Sequence, residues 1–237
     1  MNLYLYLEIF NREFLSKMLI AMESASKGVS VYFGRVKPYL LRGFFAPGVI
    51  LEKSNTPAPK KIEELKRYKK NKFIVTSLDE EFGLLDITFG DKKKSNQFVK
   101  LRFSDKSLYL TDKIFTWGKF DSKKLEKNFK RFKKKFILSG NPRLDFWRKN
   151  FEFFFKKSHF KQKDYILFSL NFSHLISEKK FHQRLKTLEK NEYFKRGWSE
   201  KFVKKRRADS LKMYKKFLEL IIELSKKTNF KLVVRPH

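Results

Sequence analysis

Short apolar runs alternate along this chain with longer stretches of helical periodicity, and that alternation restricts it to a sheet whose strands are joined by helices. Residues 3–9 read as a buried strand. A helix is predicted over 12–27, capped by Asn11, with Phe14, Leu15, Met18, Leu19 and Met22 at helical spacing. Gly28 suits the left-handed position that closes a helix, and residues 29–34 read as a second strand. Connections this short, from strand to helix to strand, imply a parallel crossover. The pattern recurs, with strands expected over 49–51, 73–77, 113–117 and 136–139 and helices over 60–70 and 121–129. Residues 82–107 are less regular and predict a loop with a helical piece, and an aromatic-rich helix is expected to carry Phe146, Trp147, Phe151 and Phe154. The fold class is therefore α/β, built from Rossmann-like strand–helix units in an open sheet.

Residues 156–163 turn basic and polar, which predicts a linker; residues 1–157 form one expected domain and 158–237 the start of another. In the second, a strand is expected over 165–170, a polar and mobile stretch over 171–207, a helix over 209–227 and a strand over 230–234. That helix places Met213, Phe217, Leu220 and Leu224 on one face. Two strands and one helix leave open sheet edges, so the second domain is expected to be incomplete.

Composition narrows the chemistry. The chain has no Cys, which excludes a disulfide framework and a thiolate metal site; its four His are scattered, and no metal is expected. The start, MNLYLYLEIFNREFLSK, lacks the basic region and cleavage site of a signal peptide, and no apolar run approaches the ~20 residues of a membrane span. A cytoplasmic protein is the expectation. Lys and Arg number 56 against 25 Asp and Glu, so the net charge is +31, which favours anionic partners such as nucleic acid, lipid headgroups or phosphorylated substrates. Basic residues are spread along the chain, however, and compositional bias toward Lys and Phe accounts for the charge as well as function does.

Neither G-x-G-x-x-G nor G-x-x-x-x-G-K-[ST] occurs, nor does G-x-S-x-G, so any ligand must be held by loops at strand ends. Asp79, Glu80 and Glu81 directly follow a strand. A carboxylate there can act as general base on an acceptor hydroxyl, or merely complement a helix dipole. Trp117-Gly118 ends another strand before a helix whose free amides can face an anion; packing alone also explains the Trp. Gly140-Asn141-Pro142-Arg143 repeats that arrangement, with Arg143 able to meet a phosphate or bridge to a carboxylate. Arg235 and His237, around Pro236, follow the last strand and suit a nucleotide diphosphate.

Five segments in order, EIFNREFLSK (8–17), LDEEFG (78–83), FTWGKF (115–120), GNPRLD (140–145) and VVRPH (233–237), resemble the bacterial surface carbohydrate biosynthesis proteins. The last also looks like an element of CDP-glycerol glycerophosphotransferases and capsular polysaccharide transferases. The resemblance implies two Rossmann-like domains of glycosyltransferase-B type, the first on the acceptor side and the second, incomplete here, on the donor side. Asp79, Glu80 and Glu81 would then lie near the acceptor, and Arg235 and His237 would face donor phosphates. Glu8, Arg12, Trp117, Gly118, Asn141 and Arg143 would help hold the substrates. Phe82 interrupts the family's D-E-E-G run, and the Pro expected after His237 is missing. The implied reaction moves a sugar or polyol phosphate from a nucleotide-activated donor to a glycan or lipid-linked acceptor, with no bound cofactor and peripheral contact with an anionic inner membrane face. The alternatives are a non-catalytic nucleic-acid-binding protein, with nucleic acid the less favoured partner, and a sugar-nucleotide epimerase.

Overall fold

The computed structural model describes residues 1–40, 45–82, 92–154, 164–170, 172 and 177–235, and contacts divide the chain into two units, Met1–Phe155 and Lys156–His237. The expected linker over 156–163 lies outside the described residues.

The first unit is an α/β sandwich on six parallel strands: β1 (Asn2–Tyr6), β2 (Ser30–Gly34), β3 (Val49–Glu52), β4 (Ile74–Leu78), β5 (Lys113–Thr116) and β6 (Phe136–Leu138). Their order is β2-β1-β3-β4-β5-β6, so the chain reverses direction across the sheet between β1 and β3. In open α/β sheets ligands gather outside the carboxyl ends of the strands at such a reversal. Side-chain alternation splits the core into two layers. Leu5, Leu51 and Leu78 pack with Ile20 and Ala21 of α1 (Phe10–Ser26), while Tyr4, Ile50 and Val75 meet Leu65 and Tyr68 of α2 (Pro59–Lys70). Beyond β4, α3 (Lys92–Arg102), α4 (Asp105–Tyr109) and α5 (Lys119–Asn128) surround β5 and β6. Phe82, Val99, Phe103, Leu108, Ile114 and Leu125 form a third core cluster there.

Several local expectations change. Asn11 does not cap α1: the cap is Ile9, with no side-chain hydrogen bond, and Glu13 reaches back to accept from the Glu8 amide at 2.9 Å. Gly28 does occupy the left-handed region, at φ 76°. The aromatic helix after β6 is instead a single turn, α6 (Pro142–Asp145), and a separate 3-10 turn over Lys149–Phe154.

In the second unit, β7 (Tyr165–Ser169) pairs in parallel with β8 (Lys231–Arg235). The stretch expected to be polar and mobile contains α7 (Glu178–Lys190), capped by Ser177, and the start of α8 (Glu200–Lys227), capped by Ser199. Phe181, Leu185 and Leu188 pack against Val203, so the charged surface of α7 conceals a short apolar stripe that meets one buried residue of α8. No described helix is long and apolar enough to cross a membrane.

Candidate functional site

The carboxyl ends of β1, β3, β4 and β6 bring together a cluster of charges where water is largely excluded. At its centre stands Glu80, two residues past β4, whose side chain is only 8% exposed. Its amide donates to the Lys53 carbonyl at 3.1 Å, tying the β4 loop to the end of β3. One carboxylate oxygen, Oε1, lies 3.6 Å from Lys17 Nζ; the other, Oε2, lies 3.6 Å from Arg143 Nη1 and makes no hydrogen bond. Burial raises the Glu80 carboxyl pKa above its ordinary value and Glu13 adds to the rise, against the pull of Lys17, Arg143 and Lys53.

Glu13 and Lys17 share the inward face of α1 one turn apart, both buried, with Lys17 Nζ 2.9 Å from Glu13 Oε2. Lys17 also donates to the Tyr6 carbonyl at the end of β1. Lys53 pairs with Glu8 and stands 3.6 Å from Glu13 Oε1. Burial would raise the Glu13 pKa, but the Glu8 amide, Lys17 and Lys53 outweigh it and hold the group below the usual carboxylate range. Asn141 caps the turn after β6: its side-chain oxygen accepts from the Arg143 amide at 2.9 Å, which leaves the buried Nδ2 as a donor without a partner. Lys17, Glu80, Asn141 and Arg143 line one space of about 10 Å³, the room taken by a single water-sized group. A hydroxyl there can accept from Asn141 and donate to Glu80 together.

The acidic triplet does not act as one group. Both Asp79 oxygens are engaged: Oδ2 accepts from Arg102 Nε at 2.9 Å, and Oδ1 accepts from Arg102 Nη2 at 2.6 Å and from the Glu81 amide at 3.0 Å. Burial raises the Asp79 pKa, while its bidentate partner opposes the shift. Glu81 points outward, 56% exposed, and pairs with Arg102 at 2.9 Å. Trp117 donates its indole N–H to the Asp79 carbonyl at 2.7 Å and packs beside Leu78, which locks the strand ends of β4 and β5 together. Gly118 caps α5 in an extended conformation, φ −164°, which any residue adopts, so no special glycine geometry is used there. No protein-family model, curated protein or solved structure matches the chain.

Of the other expected residues, Glu8 joins the cluster through Lys53, and Arg12 is exposed on the first turn of α1; burial and Arg12 would lower the Lys53 pKa, but Glu8 and Glu13 outweigh them and raise it. Arg235 belongs to the second unit, exposed at the end of β8, where its carbonyl accepts from the Leu170 amide at 3.0 Å. His237 lies outside the described residues. Sequence reasoning missed Glu13, Lys17, Lys53 and Arg102. A Glu–Lys pair one turn apart, immediately after the first strand of a parallel sheet, was the signal available for two of them.

A second buried cluster adjoins the first. Glu52, the last residue of β3, faces Lys37 at 3.3 Å and also pairs with Lys61, and Glu64 completes the set at 2.7 Å from Lys37 and 3.0 Å from Lys61. Burial would raise the Glu52 pKa, but Lys61 and Lys37 reverse this and bring it to about 2. Every charge in this cluster has an opposite within reach, and it serves to hold the β3 terminus.

Proposed function

We propose that this chain belongs to a transferase of bacterial surface polysaccharide synthesis, moving a sugar or polyol phosphate from a nucleotide-activated donor to a hydroxyl of a glycan or lipid-linked acceptor. In this reading the two units correspond to the Rossmann-like domains of a glycosyltransferase-B enzyme. The first receives the acceptor, and Arg235 with His237 in the second serves the donor phosphates. The observation that carries the reading is Glu80: a buried carboxylate with one oxygen free of hydrogen bonds, a raised pKa, and a water-sized space beside it at the carboxyl edge of a parallel sheet. A general base needs that combination of a raised pKa and reach to the proton it removes. Asp79 is committed to Arg102 and supports the loop; Glu81 is too exposed to share the task. Lys17 and Arg143 keep Glu80 ionised and hold it in place, and cationic side chains neutralise the leaving group, a nucleoside diphosphate when a sugar is moved and a nucleoside monophosphate when a polyol phosphate is moved.

The test is nucleotide release from a panel of nucleotide sugars and CDP-polyols, with and without polyol and glycan acceptors. Release by the wild type should depend on acceptor, and Glu80→Gln should lower kcat by about 10²–10⁴-fold with little change in KM. The wild-type rate should rise with pH through a carboxyl pKa above the ordinary range, and the variant should lose that limb. Full turnover by Glu80→Gln removes the base assignment; no release from any donor by a protein that carries the whole donor-side domain removes the transferase. Product formed without acceptor would favour the epimerase.

A further inference from the structure

On the sheet face opposite α1, a pocket of about 240 Å³ opens beside β1 and β2. It exists because of one residue. In the parallel register Tyr4 faces Tyr32 and Tyr6 faces Gly34, so a side chain at position 34 would rise from the same face as these three tyrosines. A Cβ built at Gly34 meets nothing within 4 Å, and the vacancy becomes the pocket.

Its walls are aromatic and held in place. Tyr4 and Tyr32 stack with centroids 4.9 Å apart, and Phe45 stands edge-on to Tyr32 at 5.0 Å and to Tyr4 at 5.7 Å. The Tyr4 hydroxyl donates to the Ala46 carbonyl at 2.6 Å, fixing the approach of the segment that carries Phe45. Lys37 Nζ sits 3.6 Å from the Tyr6 ring centroid and is itself anchored by Glu52 and Glu64. Tyr32 is nonetheless 39% exposed, which leaves ring surface for a ligand, and Arg35 is exposed in the pocket lining at the end of β2.

We propose that this pocket binds a nucleobase of a free mononucleotide, with the ring against Tyr32 and Phe45 and the phosphate on Arg35. The volume is below the ~300–1,000 Å³ of sites for drug-sized ligands and suits one ring system. The largely aromatic lining offers stacking rather than the many hydrogen bonds that a sugar ring requires. A guanidinium at the rim matches phosphate geometry, and the carboxyl edge of a parallel sheet is where such ligands collect. The inference stands apart from the Glu80 site, since the two share no chemistry.

Calorimetric titration of the full chain with UMP, AMP, uridine, inorganic phosphate and a four-residue oligouridylate tests it. Saturable binding of UMP or AMP is expected, with uridine weaker and phosphate undetectable. Tyr32→Ala should weaken nucleotide binding about tenfold, as loss of one stacking partner does. Arg35→Ala should bring UMP down to the affinity of uridine. Gly34→Leu should abolish binding while leaving the thermal transition unchanged, because the new side chain enters empty space on an edge strand. Should that variant fail to fold, Tyr32→Ala and Arg35→Ala decide the matter. Nucleotide binding unaffected by these substitutions, or phosphate binding as tight as UMP, overturns the pocket. Oligouridylate binding far tighter than UMP overturns the free mononucleotide in favour of a strand.

Discussion

Asp79, Glu80 and Glu81 are neighbours with three different environments, and the differences come from what lies opposite each. The turn that follows β4 brings Asp79 inward to a guanidinium and Glu80 inward to a space shared with Asn141, and leaves Glu81 outward in solvent. Asp79 is 2% exposed, so its charge survives only because Arg102 and the Glu81 amide meet it. Arg102→Ala would strand that charge and should destabilise the chain by about 3–5 kcal/mol in urea denaturation. A loss below about 1 kcal/mol, the worth of an exposed pair, would mean that Asp79 reaches water. Phe82, the residue that breaks the acidic run, is buried against Phe103 at 5.0 Å and anchors the loop to the core.

At the scale of elements, charged residues determine how strand ends meet helices. The first turn of α1 lacks a capping side chain, and Glu13 meets the Glu8 amide there while joining Lys17 and Lys53. One carboxylate thereby serves both the helix start and the candidate site. The end of β3 is held by the Glu52 cluster, which carries a pH signature. A carboxyl whose folded pKa falls from 4.5 to about 2 stabilises the fold above the higher value, and this contribution disappears as pH drops through the lower one. The stability gap between wild type and Glu52→Gln should therefore narrow as the pH is lowered from about 5 to about 2, read as urea midpoints. A gap that stays constant would show that Glu52 is not held ionised by Lys37 and Lys61.

For the molecule as a whole, the two units differ in how well their sheets are covered. The central strands of the first unit bury residues on both faces, with Ile50 and Val75 fully enclosed. In the second, Phe168 is the buried residue of β7, while Tyr165, Leu167 and Val234 remain 43–51% exposed. Local stability follows buried contact, so amides of β7 and β8 should exchange with deuterium well before those of β3 and β4. Equal protection would show that other contacts buttress the second sheet. The charge of +31 is likewise a property of the whole chain, since lysines occur on the helices of both units.

Strand and helix periodicity by itself determined the α/β class and the order of the six strands with α1, α2 and α5 in the first unit, because apolar alternation and a helix-closing glycine such as Gly28 act within a few residues. It also placed Glu80, Asn141 and Arg143 at strand ends. It failed over 177–207, where a charged surface outweighed the short apolar stripe that α7 buries against Val203. Only the tertiary structure decided which carboxylate keeps an oxygen clear of hydrogen bonds: Arg102 lies 23 residues from Asp79 in the chain, and no local pattern specifies that pairing. The same holds for the pocket at Gly34. In the sequence Gly34 is no more than the last residue of the second strand; the register sets it opposite Tyr6.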